Sequence, residues 1–295
     1  MVPALKPKEI RAVIPVAGLG TRLLTATKVQ PKEMLPVFAL EGGELCVKPL
    51  VQLVFEQLFD FGIREFCFVV GRGKRAIEDH FTPDGDYLKR LSSPKAAIGS
   101  ALKQFYRRVD AAKIVWVSQP FPLGFGHAVL QARVVVGDEA FLVHAGDAYV
   151  YCHDFGHLRR LQSSFERGAE CSLALRSVPD PRQYGVATGK ASGGFVDVDG
   201  IVEKPKAPKS KLAVTPVYLF RKSIFGAIKE AGPGVAGELQ LTDGIQRLLK
   251  GGKRVVGVEL MRDESWIDIG TPATYWEALQ VSFENLAQPL SIREK

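Results

Sequence analysis

The chain has 295 residues, 46% of them hydrophobic, enough to bury a large core in one or two domains. No apolar run approaches the ~20 residues of a membrane span, and residues 1–9 lack the apolar centre of a signal peptide, so the sequence predicts a cytoplasmic protein with no membrane partner. The formal charge is +7, but Lys and Arg are scattered, with no basic tail, so small anionic substrates explain it better than nucleic acid.

In chain order, an apolar run over residues 10–16 predicts a first buried strand. It empties into Ala17-Gly18-Leu19-Gly20-Thr21-Arg22, and Thr27-Lys28-Val29-Gln30-Pro31-Lys32-Glu33-Met34-Leu35-Pro36 follows. Two glycines let the backbone turn tightly and bring N–H groups to an anion, and Arg22 and Lys32 add two fixed positive charges. That combination suits a polyphosphate. Leu23 stands where a dinucleotide fingerprint needs its third glycine, and Thr21-Arg22 replaces the Lys-Ser/Thr that closes a Walker loop.

A buried helix over 49–59, a strand over 65–70, a short helix over 74–81 and a mainly polar helical stretch over 86–108 come next. A strand over 114–117, a helix over 126–136 and a strand over 141–144 complete the first half. Strands separated by helices predict an α/β fold, with a mixed, mostly parallel sheet flanked by helices. The second half predicts strands over 171–178, 194–202, 212–220 and 254–260, and helices over 223–231, 239–250 and 272–286. No repeat or low-complexity linker divides the chain, so one domain is expected, with halves at about 1–150 and 151–295.

Every candidate site residue falls just after a strand, the edge where ligands gather in such sheets. Gln119 carries both a donor and an acceptor that can read a base edge, and Gly124-Phe125-Gly126-His127 opens a helix; a plain loop with His127 as a satisfied polar group is the other reading. Gly146-Asp147 places an acid at a strand end, a natural magnesium ligand or a turn cap. Trp266-Ile267-Asp268-Ile269-Gly270 repeats the pattern, so Asp268 either shares that cation or caps the last helix. Glu203-Lys204 can meet sugar hydroxyls and a phosphate, or form a plain surface pair. The four cysteines make no Cys-x-x-Cys pair, which argues against zinc, and Cys67 and Cys171 read as buried thiols. A single asparagine, Asn285, points to a thermophilic source.

Together these residues resemble the sugar-1-phosphate nucleotidyltransferases, closest to the bacterial- and archaeal-type UTP–glucose-1-phosphate uridylyltransferase branch. The likeness rests on AGLGTR at 17–22, TKVQPKEMLP at 27–36, KPL at 48–50, GFGHAV at 124–129, AGD at 145–147, YGV at 184–186, VEKP at 202–205 and GELQLTDGI at 237–245. It implies a Rossmann-like fold of the nucleotide-diphospho-sugar transferase type, UTP and glucose 1-phosphate as substrates, Mg²⁺ as cofactor, and a homodimer or homotetramer. By the same resemblance Ala17, Gly18, Glu33, Gln119 and Gly124 hold base and ribose, with Leu19, Gly20, Thr21 and Gly146 completing the nucleotide site. Arg22 and Lys32 hold the triphosphate, Asp147 and Asp268 the metal, Gly185 and Glu203 the hexose, and Lys204 its phosphate. Arg22, Lys32, Asp147 and Lys204 are the residues expected to carry the reaction. Five departures stand out: residues 39–47 read as an insertion, Thr25 replaces a usual Pro after Leu24, Ala148 follows Asp147 where some members carry an acid, Pro216 stands where relatives usually have Gly, and the Trp-Ile-Asp-Ile-Gly ending over 266–270 is less typical of the bacterial uridylyl branch. The rivals are a dTTP–glucose or UDP-N-acetylglucosamine type of transferase and a non-catalytic sugar-nucleotide-binding homologue.

Overall fold

An apolar run in a strand must be covered on both faces, and β1 (Arg11–Val16) is buried from Ala12 to Val16. The computed structural model describes residues 6–90, 96–152 and 154–291. After β1 come β2 (Pro36–Glu41), β3 (Glu44–Pro49), α1 (Leu50–Phe61) and β4 (Glu65–Val70). Next are α2 (Arg75–His80), α3 (Gly85–Arg90), α4 (Ala96–Asp110), β5 (Lys113–Ser118), α5 (Phe125–Gln131), α6 (Arg133–Val136), β6 (Phe141–His144) and β7 (Ala148–Tyr151). The second half holds α7 (Gly156–Glu166), β8 (Cys171–Ser177), β9 (Gly185–Ser192), β10 (Phe195–Glu203) and β11 (Leu212–Phe220). It continues through α8 (Ser223–Ala231), α9 (Leu241–Lys250), β12 (Val255–Glu259), β13 (Ser265–Asp268) and α10 (Pro272–Ser291).

Nine strands form one sheet in the order β5-β4-β1-β6-β11-β8-β12-β10-β9, drawn from both halves of the chain. The sheet is mixed, as expected, but it is not mostly parallel. β4–β5, β1–β4, β1–β6 and β8–β12 pair parallel, whereas β6–β11, β8–β11, β9–β11, β10–β12 and β9–β10 pair antiparallel. The cause lies in the connections. A parallel neighbour needs a crossover of a dozen or more residues, whereas β9 and β10 are joined by Gly193-Gly194, both at positive φ, as a tight hairpin requires.

The core fills both faces of the sheet. On one, Phe55 of α1 packs on Phe66 at 4.7 Å between ring centres and edge-on to Phe81 and Phe105. On the other, Phe141 stacks on Phe225 of α8 at 5.0 Å. Cys67 and Cys171 are buried thiols and all four cysteines are unpaired. The helical stretch expected over 86–108 carries α3 and α4, with residues 91–95 outside the described part. The segment read as an insertion is most of a hairpin, β2–β3, turning at Gly42-Gly43, both at positive φ. No helix among the described residues is long and apolar enough to cross a membrane.

Two histidines sit fully buried behind the sheet end that carries the site. His144 donates from Nδ1 to the Ala145 carbonyl at 2.9 Å, and His157 lies 3.9 Å from Glu264. Burial pushes His144 down to about 4 and His157 down to about 3. Unfolding restores the ordinary histidine value of about 6.5, so below it the unfolded chain binds protons that the folded chain refuses. Stability is therefore expected to fall as pH drops from 6.5 towards 4, by up to ~1.4 kcal/mol per pH unit for each histidine. Urea unfolding at pH 7.5 and 5.5 checks this: His157→Leu should show a visibly smaller acid loss than the parent, and an equal loss would refute it.

Candidate active site

The first loop of the site follows from β1. Gly20 takes the left-handed conformation (φ 68°) and starts a single turn, Thr21–Leu23, that carries Arg22. Thr27 donates from Oγ1 to the Gly20 carbonyl at 2.8 Å and latches the loop on itself. A second short turn, Lys32–Met34, brings Lys32 and Glu33 back beneath the glycines. Glu33 is buried and pairs with the buried Lys74 at 2.8 Å. Lys32 forms an ion pair with Asp147.

Asp147 arrives from β6. A side chain on Gly146 would meet Val16 of β1 at 2.4 Å, so only glycine lets the end of β6 lie this close to β1. β7 then pairs antiparallel with β13, setting Ala148 opposite Asp268, and Ile269 donates its N–H to the Asp147 carbonyl at 2.8 Å. The two acids thus reach the cleft from neighbouring strands. Thr271 rather than Asp268 caps α10: its Oγ1 accepts from the Thr274 N–H at 3.2 Å.

The far wall comes from β5 and β10. Gln119 donates its backbone N–H to the Val70 carbonyl at 2.8 Å, and its side chain meets Gly124 and His127. Gly124 has φ 100°, and a Cβ there would lie 2.7 Å from Glu238. Leu239 donates to the Leu123 carbonyl and accepts from Gly126, both at 2.8 Å, which ties segment 234–241 onto this loop. At the end of β10, Glu203 accepts a hydrogen bond from Thr242 at 3.0 Å, and Lys204 lies 3.4 Å from it. Lys204 itself has φ 42°, a left-handed position rare outside glycine.

These walls enclose a cleft of about 430 Å³. Ala17, Gly18, Leu19, Gly20, Thr21, Arg22, Lys32, Glu33, Gln119, Gly124, Asp147, Gly185, Glu203, Lys204 and Asp268 all line it, while Gly146 lies beneath as a packing glycine. Sequence reasoning did not single out Tyr184, Glu238, Gln240, Thr242 or Trp266, which line it too. The signal was present in the Gly-Glu-Leu-Gln-Leu-Thr segment, whose alternate residues 238, 240 and 242 all reach the cleft.

Electrostatics organise the floor. Burial opposes the charge on Lys32, but the carboxylates of Asp147, Glu33 and Asp268 outweigh it and hold the ammonium above its ordinary range. Burial likewise opposes the Asp147 charge, and Lys32 overcomes it, so the carboxyl stays ionised. Asp268 has no such partner: burial and the neighbouring Asp147 push it up to about 7, with Lys32 and Arg22 only partly offsetting them. Burial also raises Glu33, against the pull of Lys74 and Lys32. Two oxygen-donor carboxylates, one short of positive charge, fit a hard divalent cation such as Mg²⁺, which takes one or two protein carboxylates and completes its shell with water and phosphate. No cluster of three or more His, Cys, Asp or Glu ligands occurs among the described residues, so an all-protein cage is not what this site offers.

The family model described as Nucleotidyl transferase matches residues 11–284. The chain belongs to the nucleotidyl transferase family. Its relatives include the UTP–glucose-1-phosphate uridylyltransferase YngB of Bacillus subtilis, 36% identical over 282 residues, which cover 90% of this chain and 91% of that protein. Among solved structures, a UDP-glucose pyrophosphorylase complexed with UDP-glucose superposes with a TM-score of 0.80 at 29% identity, covering 93% of this nucleotidyl transferase and 98% of that chain. A UTP-bound UGPase from Acinetobacter baumannii superposes with a TM-score of 0.77 at 31% identity, covering 92% of each.

The Glu33–Lys74 pair makes a checkable claim about this site. Removing one partner strands the other charge in a buried place, which costs ~3–5 kcal/mol, whereas removing both costs much less. Urea unfolding of Lys74→Met, Glu33→Gln and the double variant should show the double variant losing much less stability than the sum of the two single losses. Additive losses would show that the pair is not the buried contact described.

Proposed function

We propose that this nucleotidyl transferase transfers the uridylyl group of UTP to glucose 1-phosphate, giving UDP-glucose and pyrophosphate. The observation that carries the reading is the arrangement of charge in one cleft. Arg22 and Lys32 stand on the glycine-loop side, Lys204 beside Glu203 at the end of β10, and two carboxylates from β6–β7 and β13 on the floor. The relatives named for UTP, glucose 1-phosphate and UDP-glucose support the choice of substrates.

The step is an in-line displacement. A phosphate oxygen of glucose 1-phosphate bonds to the α-phosphorus of UTP, and the bond from that phosphorus to the bridging oxygen of the β-phosphate breaks. The electron pair leaves with pyrophosphate. The attacking phosphate is already an anion at neutral pH, so the site needs no general base; its work is to bring two anions together and stabilise the charge that develops. Lys204 neutralises the sugar phosphate, and Glu203, fixed by Thr242, accepts from hexose hydroxyls. Arg22 and Lys32 hold the β- and γ-phosphates and stabilise the leaving pyrophosphate. Ala17, Gly18, Glu33, Gln119 and Gly124 form the base and ribose side. Asp147 and Asp268 would hold Mg²⁺, which would supply Lewis-acid charge to the α-phosphate. A homodimer or homotetramer belongs to the same reading, supported by exposed apolar side chains on β3 and α10, namely Val47, Trp276 and Phe283.

Pyrophosphate release from UTP and glucose 1-phosphate tests these roles. Lys204→Ala should raise KM for glucose 1-phosphate at least ~10-fold, and Asp147→Asn should lower magnesium-dependent kcat ~10²–10³-fold or more. Near-normal turnover in both would overturn the assignment.

A further inference from the structure

The Gln119 amide is held in one orientation by the Gly124 carbonyl and by His127, a residue the proposed reaction does not use. Its Nε2 lies 3.1 Å from the Gly124 carbonyl oxygen and 2.9 Å from His127 Nδ1. A carbonyl only accepts, so the amide atom facing Gly124 must be nitrogen rather than oxygen. Both amide hydrogens are then engaged, one by Gly124 and one by His127. It follows that His127 Nδ1 accepts and its ring proton sits on Nε2. Gln131, one helical turn along α5, donates from its amide nitrogen to the His127 backbone carbonyl at 3.3 Å, with that nitrogen 3.1 Å from the ring Nε2.

One polar atom of Gln119 is left. Its Oε1 accepts no hydrogen bond from the described residues, and the side chain lines the cleft. Held this way, Gln119 offers the base an acceptor and no donor. We propose that His127 is a positioning residue for base selection: it locks Gln119 with Oε1 towards the base, which selects a pyrimidine carrying a hydrogen on N3. Uracil has that hydrogen. Cytosine presents a bare N3 acceptor, which would face a second acceptor with no proton between them. Partial burial lowers the His127 pKa, in keeping with a neutral, accepting ring at pH 7.

This inference rests on the reading that Gln119 meets the base, and the test separates the two. The measurement is kcat/KM for UTP and for CTP in the parent, His127→Phe, His127→Asn and Gln119→Ala, each checked for an unchanged thermal transition. His127→Phe frees the amide, so the UTP-over-CTP ratio should fall ~10-fold or more, through a higher KM for UTP with kcat within ~3-fold. His127→Asn, whose Oδ1 can accept where Nδ1 does, should bring the ratio back to within ~3-fold of the parent. An unchanged ratio in His127→Phe, or an equal loss in His127→Asn, overturns the proposal. If Gln119→Ala collapses the ratio while His127→Phe keeps it, only the role of His127 fails. If Gln119→Ala leaves the ratio intact, the base-reading assignment itself fails, and this proposal with it. Should His127→Phe not fold, His127→Ala must lower the ratio in the same direction, and no change there would overturn the proposal.

Discussion

Lys32 and Asp147 are 115 residues apart in sequence and meet where side chains are at most 19% exposed. Neither charge is stable there alone, because losing water costs several kcal/mol per ion unless a partner restores it. The pair therefore ties the loop after β1 to the end of β6. Gly146 makes the approach possible by leaving Val16 room. Glu33 and Lys74 extend the same logic one layer deeper, and Asp268 approaches from β13 without a cation of its own. Fold and site answer to one constraint: the sheet must bring these charges into register before the cleft can exist.

That constraint also explains the division of labour in the proposed reaction. A site that joins two anions needs cations ready before the substrates arrive, and Lys32 is kept charged by the carboxylates around it. The raised Asp268 marks the opposite condition, a carboxyl whose charge is uncompensated until something positive comes to the floor. The walls are built differently. The base side relies on backbone carbonyls and amides that fix side-chain orientation, as Gly124 does for Gln119. The sugar side relies on a strained Lys204 and on Thr242 holding Glu203.

Much of this was legible in the residues because each motif follows a strand, and strand ends gather at one edge of an α/β sheet. The glycine loop, Asp147, Gln119, Glu203 and Lys204 could be placed on that ground, and the cleft does collect them. The antiparallel share of the sheet was harder to read. β9 is glycine-containing and half exposed, so its sequence looks like a loop, and without it the hairpin to β10 was hidden. β7 and β13, four residues each, are too short for periodicity to show. Lys74 read as the start of a short helix; only the fold turns it towards Glu33. His127 read as a satisfied polar group, which it is, but what satisfies it is Gln119 and Gln131, a relation across the loop that spacing does not disclose.

The central claim is that the charged walls of this cleft serve one pair of substrates. The most direct test is pyrophosphate release by the purified protein with Mg²⁺, crossing UTP, dTTP, ATP and GTP with glucose 1-phosphate and related hexose 1-phosphates. The account predicts the highest kcat/KM for UTP with glucose 1-phosphate. Release from no pair, or a clear preference for a different nucleotide and sugar, would contradict it.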